Sequence, residues 1–321
     1  MSDKHHRPEV PAPAPAAQRA QELPWRRPKS REEDPEAFAK VAKILANPSY
    51  IEADKDPEFL ARDDTRGVRL QVDYLKPELM LRDHGVEQTI VVFGSTRIPE
   101  PAGARRKVEH LEAALQAEPE NTGLERRLSI ARRVEEKSHY YDIARQFGEL
   151  VARSGEGPLD TRLVVMTGGG PGIMEAANRG AHDMGAKNVG LNINLPHEQY
   201  PNPYVTPGLT FHFHYFALRK LHFLQRARAL VAFPGGFGTY DELFETLTLI
   251  QTRKISPLPV VLVGESFWRK AFDIDFMVDE GVIDPEDREL FWYAETAEAI
   301  WEGIQCWYEQ SGTALFPADT V

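Results

Sequence analysis

Apolar residues in this chain follow two alternating patterns: short continuous runs, and longer stretches in which they recur every three or four positions. "QTIVVF" (88–93), "RLVVMT" (162–167), "KNVGLNINL" (187–195), "LTFHFHYF" (209–216), "ALVAF" (229–233) and "LPVVLVG" (258–264) are the continuous runs and read as strands. Between them Tyr140, Ala144, Phe147 and Val151 keep helical spacing, and "GIMEAANRGAHDMGA" is a helix closed by a glycine. "ALRKLHFLQRA" continues as helix, Leu243, Leu247 and Ile250 mark the buried face of another, and terminal helices follow "LPVVLVG". Strands that are apolar on both faces and separated by helices imply parallel pairing in a covered sheet. The expected fold class is therefore α/β, a Rossmann-like doubly wound parallel sheet with helices on both faces and an N-terminal helical extension.

The pattern also divides the chain. Residues 1–33 are rich in Pro, Ala and charge, bury too little surface to offset chain entropy, and are expected to form a disordered tail. Residues 34–85 read as short helices broken by "NPS" and "KDP", and 86–311 as the Rossmann-like domain. Within that domain, about 98–137 is a charged helical insertion broken at "EPENTG", and 312–321 is a C-terminal tail.

Charge narrows the possible partners. With 38 Lys and Arg against 49 Asp and Glu, the net charge of −11 argues against broad nucleic-acid or anionic-membrane surfaces. A phosphate here must be met by local donors. The single cysteine, Cys306, lies among Trp301, Ile304 and Trp307, reads as buried, and fits a reducing compartment. The N-terminal stretch lacks the apolar core of a signal peptide and no run reaches membrane-spanning length, so a cytoplasmic location is expected.

Chemistry concentrates where strands meet helices. The first strand ends at Gly94-Ser95-Thr96; Gly168-Gly169-Gly170-Pro171-Gly172 and Pro234-Gly235-Gly236-Phe237-Gly238-Thr239 each lead into a helix. In a parallel sheet such turns open on one carboxyl edge, where helix N-termini carry about +0.5 charge and unpaired N–H groups. The turns are either tight packing punctuation or a cradle for an anion. "GGGPGI" lacks the third glycine of a dinucleotide fingerprint and neither turn ends in Gly-Lys-Ser/Thr, so a monophosphate fits better than a dinucleotide or a triphosphate.

The polar residues nearby have two readings each. Thr239-Tyr240-Asp241-Glu242 matches a capping box, in which Glu242 bonds back to the helix start and Asp241 complements the dipole; alternatively Glu242 is a carboxylate beside the anion. Arg219, His222 and Arg226 share a helix face that is either solvated or turned toward the second glycine turn, with Lys220 next to it. Glu175 is a dipole complement or a ribose ligand. His212 and His214 share a strand face without an evident third ligand, so no metal is expected, and nothing resembles a pyridoxal-phosphate site. "PHEQYPNPY" (196–204) is long enough for a lid, or simply bridges two elements.

Together, "TGGGPGIMEAANRGA", "RK" at 219–220 and "FPGGFGTYDELFE" resemble the LOG ("lonely guy") family, whose hallmark PGGxGTxxE is matched by Pro234, Gly235, Gly236, Gly238, Thr239 and Glu242. The resemblance covers residues 86–285 apart from the insertion. It implies a homo-oligomer, commonly a dimer, without a cofactor, that hydrolyses the N-glycosidic bond of a nucleoside 5′-monophosphate to free base and ribose 5-phosphate. Carried onto this sequence, it implies Arg219 and Glu242 as the catalytic pair. The implied substrate-binding residues are Gly94, Ser95, Gly169, Gly170, Glu175, Lys220, Gly235, Gly236, Gly238 and Thr239. Plant-type members carry Met-His-Glu where this chain has Phe216-Ala217-Leu218, and Ser-Asp where it has Ala227-Arg228. These departures favour AMP or a related purine nucleotide over a cytokinin nucleotide. A non-catalytic nucleotide or molybdenum-cofactor carrier using the same crevice is the alternative reading.

Overall fold

The computed structural model describes residues 10, 29–195 and 200–316, so most of the expected tail at 1–33, residues 196–199 of the long loop and the end of the C-terminal tail lie outside the described residues. The chain forms two compact units, residues 1–68 and 69–321.

In the first unit the proline breaks set the helix ends. Helix α1 (Ala37–Leu45) precedes "NPS", where Asn47 caps a single 3-10 turn by accepting from the Ser49 N–H at 3.0 Å. Asp56 caps α2 (Pro57–Ala61) by accepting from the Phe59 N–H at 2.9 Å. Helix α3 (Arg66–Asp83) then runs on into the second unit.

The second unit continues with β1 (Gln88–Phe93), α4 (Pro101–Ala117), α5 (Thr122–Glu136), α6 (His139–Arg153), β2 (Leu163–Thr167), α7 (Ile173–Asp183), β3 (Asn188–Ile193) and β4 (Thr210–Phe213). After these come α8 (Phe216–Gln225), β5 (Ala227–Ala232), α9 (Phe237–Gln251), β6 (Val260–Val263), α10 (Glu265–Ala271), α11 (Ile274–Asp279), β7 (Trp292–Ala294) and α12 (Ala297–Ser311). Among the described residues, the seven strands form one parallel sheet in the order β4-β3-β2-β1-β5-β6-β7. The Rossmann-like expectation is met. Strand β7 is the element that the apolar pattern does not reveal, because three residues at a sheet edge carry too little periodicity against the helices around them.

Strand alternation builds two cores, one on each face. Ile90 and Val92, Val165, Ala229 and Val231 face α6, α7 and α12; Val91 and Phe93, Met166, Leu230 and Ala232 face α3, α8, α9 and α10. Phe147 on one side and Trp268 on the other are fully buried. A third, small cluster holds α4 to α5 through Val108, Leu111, Leu128 and Ala131. Cys306 departs from its expected burial: it lies on the exposed face of α12, while Ile304 and Tyr308 turn inward.

Sheet order reverses beside β1, because β2 to β4 extend on one side and β5 to β7 on the other. Such a switch point leaves a crevice at the carboxyl ends of the two diverging strands. Here those ends are joined, since the Ser95 N–H donates to the Pro234 carbonyl at 3.0 Å.

Candidate active site

A hollow of about 730 Å³ opens at the switch point. Its floor is Gly94, Ser95 and Thr96 after β1 and the Pro234–Thr239 turn after β5; Arg219, from α8, and Glu242, from α9, reach it from the side.

The second glycine turn folds differently from a capping box. Helix α9 starts at Phe237, with Gly236 as N-cap and no side-chain cap. Thr239 is therefore already inside the first turn, and Glu242 lies in the second, one turn further along the same face. This corrects the capping reading and places neither Asp241 nor Glu242 in the first turn. Among the described residues, no acceptor takes the N–H groups of Gly235, Gly236, Phe237 or Gly238. The hollow thus faces a row of free donors at the positive end of a fifteen-residue helix. A Cβ on Gly235 would lie 2.6 Å from Thr239 Cβ, so only glycine lets the turn close this tightly.

The first glycine turn is occupied by the protein itself. Gly169 donates its N–H to Thr167 Oγ1 at 2.9 Å, and its carbonyl accepts from the Asn202 N–H at 2.8 Å. Asn202 Nδ2 donates to the Gly170 carbonyl at 3.1 Å and to Asn178 Oδ1 at 2.9 Å, inside a buried network that includes Thr167 and Asn188. Gly169 and Gly170 do not line the hollow; their neighbour Gly168 borders Arg219 instead. Glu175 also lies outside it, accepting from the Tyr141 hydroxyl at 2.8 Å. The two glycine turns therefore do not face each other across one anion. The partner of the second turn is the Gly94-Ser95 end of β1.

Arg219 is held by its surroundings. Its Nε–H donates to the Leu191 carbonyl at 2.7 Å, and its guanidinium lies 5.1 Å from the Phe223 ring centre and 5.6 Å from that of Phe216. A side chain at Gly168 would displace it, because a Cβ there would sit 2.5 Å from Arg219 Nη2. Helix α3 braces α8 along its length. Asp73 accepts from the His214 and Tyr215 N–H groups at 3.2 and 3.0 Å. His222 Nε2 bonds the Tyr74 carbonyl, and Arg226 grips Glu78 through two bonds of 2.7 and 2.6 Å. The Arg219, His222 and Arg226 face is thus packed against neighbours and not solvated.

Lys220 points elsewhere, pairing with Asp241 at 3.0 Å and Glu245 at 3.1 Å, and it borders a separate hollow with Leu224 and Tyr308. Asp241 therefore serves as an ion-pair partner between α8 and α9. His212 and His214 are both exposed, and β4 ends between them. Among the described residues no group of three potential ligands is placed to hold a metal, and no helix is long and apolar enough to cross a membrane.

Electrostatically the hollow is tuned by burial. Only 4% of Glu242 is exposed, and desolvation pushes its carboxyl up to about 7, against the pull of Arg219 and Lys220. Burial likewise lowers Arg219, opposed by Glu242 and Asp241, but a guanidinium keeps its proton in any protein environment. The arrangement offers a buried guanidinium, one carboxylate titrating near neutrality, and free N–H donors around a single space. Sequence patterning missed further residues that line this space: Arg97, Met174, Phe216, Phe267, the α5 residues Ile130, Arg133 and Val134, and Lys137 at the C-cap of α5. The signal for the last four was present, since 130, 133, 134 and 137 form one helix stripe.

Comparison with known proteins follows the same residues. Residues 174–304 match the family model described as possible lysine decarboxylase. Cytokinin riboside 5′-monophosphate phosphoribohydrolase LOG3 of Arabidopsis thaliana is 32% identical over 169 residues, which are 51% of this chain and 74% of that protein. The corresponding LOG enzyme of Oryza sativa subsp. japonica is 31% identical over 169 residues, 51% of this chain and 65% of its own. Among solved structures, the molybdenum cofactor binding protein of Rippkaea orientalis is similar over 52% of this chain and 86% of its own, with 20% identity and a TM-score of 0.36. With LOG3 aligned over nearly three quarters of its length, and with Pro234 to Glu242 spelling the PGGxGTxxE hallmark, the chain belongs to the LOG family.

Proposed function

We propose that this protein is a nucleoside 5′-monophosphate phosphoribohydrolase. It would split the N-glycosidic bond of AMP or a related purine nucleotide into free base and ribose 5-phosphate. The observation that carries the reading is the meeting of Arg219 and Glu242 in the hollow that also receives the free N–H groups of the Gly235–Gly238 turn. The names of the LOG relatives support the reaction class. The departures at Phe216–Leu218 and Ala227-Arg228 favour a purine without the cytokinin side chain.

In this reading the 5′-phosphate takes the donors of the turn, where a charge-assisted hydrogen bond contributes roughly 1.5–3 kcal/mol. Glycosidic cleavage leaves positive charge on the ribose, and a carboxylate close to it stabilises that charge or orients the attacking water. Glu242, titrating near 7, is matched to either task at neutral pH. Arg219 cannot donate its proton, so its part is to stabilise negative charge on the departing base or on the phosphate. Lys220, Gly169, Gly170 and Glu175 lie outside this hollow, each bonded to protein groups, and touch no substrate in this reading.

The test is a panel of nucleoside 5′-monophosphates incubated with the purified protein and scored for released base. Adenine from AMP is the expected product. Tight AMP binding with no base released from any nucleotide would favour a carrier and remove the hydrolase.

A further inference from the structure

Helix α5 has two faces with different partners. Leu124, Leu128 and Ala131 pack on α4, in a cluster separate from the two cores that cover the sheet. The opposite stripe, Ile130, Arg133, Val134 and Lys137 at i, i+3, i+4 and i+7, lines the hollow at the switch point. Ile130 leaves 51% of its surface exposed there, a large apolar residue without a partner on its own helix pair.

The charges on this stripe are uncompensated. Among the described residues, neither Arg133 nor Lys137 pairs with a carboxylate; Lys137 Nζ donates to the Arg133 carbonyl at 3.1 Å. Arg97, on the same hollow, has no acidic partner among them either. In a chain of net charge −11, three unpaired cations around a hollow that also receives a helix N-terminus mark a place built for an anion.

We propose that the α4–α5 pair is a cap over the nucleotide site, in which Arg133 and Lys137 grip the phosphate of the ligand from the side opposite the Gly235–Gly238 turn. The inference rests on the phosphoribohydrolase reading for the identity of the ligand, and adds a discriminator to it. The cap selects nucleotides over nucleosides, because a nucleoside brings no charge to pair with these two cations.

The test is equilibrium binding of AMP and of adenosine to the full chain, for the wild type and the Arg133→Ala/Lys137→Ala double variant. Arg127→Ala serves as a control, an exposed cation of the same helix that does not line the hollow. Two charge-assisted contacts predict roughly 10- to 100-fold weaker AMP binding in the double variant. Adenosine affinity and the Arg127→Ala protein should stay within about twofold of wild type, and Arg133→Lys should recover part of the loss. Unchanged AMP affinity in the double variant, or an equal loss for adenosine, would overturn the cap. Because binding is read directly, a wild type that binds AMP while no nucleotide of the panel releases base removes the hydrolase reading and leaves the cap standing. A wild type that cleaves AMP beside a double variant of unaltered affinity does the reverse, and a wild type that binds no AMP removes both.

Discussion

Glu242 titrates near 7 because burial outweighs the attraction of Arg219, and this has opposite consequences for activity and stability. If the ionised carboxylate acts on the ribose, kcat/KM should climb as pH rises through about 7 and level off above it. A flat profile from about pH 5.5 to about pH 8.5 would remove the ionised carboxylate from the mechanism. For stability the sign is the reverse of a salt-bridged acid. The folded pKa is raised above the ordinary value of 4.5, so between 4.5 and about 7 the native state holds a proton that the unfolded state has lost. Stability then falls as pH rises across that window, by up to about 3 kcal/mol. Glu242→Gln removes this cost and should raise Tm at about pH 8 by a few degrees, with the gain vanishing near the ordinary carboxylate value. Arg219 is as demanding in shape as in charge. Its fork bonds the Leu191 carbonyl while its plane lies near Phe216 and Phe223. Arg219→Lys keeps the charge and loses the geometry, and should lower kcat by at least about tenfold with the fold intact by circular dichroism.

At the scale of elements, α8 and α9 carry the two reactive side chains, and what ties them together is open to test. Lys220 bridges the helices through Asp241 and Glu245; burial pulls its ammonium down, but those carboxylates prevail and raise it. Lys220→Met should therefore reduce kcat severalfold through misalignment and leave KM for AMP nearly unchanged; a roughly tenfold rise in KM alone would return Lys220 to the substrate. The other end of α8 depends on α3. The guanidinium of Arg226, by hydrogen bond, holds the Glu78 carboxyl below its usual range, against the opposing effect of burial. A lowered carboxylate contributes stability that is present above its ordinary value of 4.5 and lost as pH falls through its folded value. Glu78→Gln should destabilise at neutral pH by about 1–3 kcal/mol, less than the cost of breaking a fully buried pair, and the deficit should shrink in acid. Urea unfolding at about pH 7 and about pH 3.5 reads both. These contacts also show what patterning can and cannot reveal. The stripe Arg219, His222, Arg226 was visible, but Tyr74 and Glu78, the partners of His222 and Arg226, lie 148 positions earlier, and no local period connects them. Glu242 was legible as a candidate, yet its freedom from capping depends on the helix starting at Phe237, which glycines at 235, 236 and 238 do not announce.

For the whole molecule, the parallel sheet was legible because its strands are apolar on both faces, and the switch point follows from strand order alone once β1 is central. Which turns meet there was not legible. Two glycine turns of similar composition take different roles because Asn202 and Thr167 claim the hydrogen bonds of one, while those of the other are left open to the hollow. The α4–α5 pair reads in the sequence as an insertion outside the functional core, and its stripe of two cations and two apolar residues joins the site only through the fold. The net result is a nearly neutral carboxylate, a fixed guanidinium and a donor-rich helix end held around one space by a rigid sheet. The most direct measurement compares wild type with Glu242→Gln for AMP binding and for adenine release under saturating AMP. AMP affinity within a few-fold of wild type, with adenine release lowered by about 10²–10⁴, is the predicted result. A Glu242→Gln protein that releases adenine at the wild-type rate would contradict it.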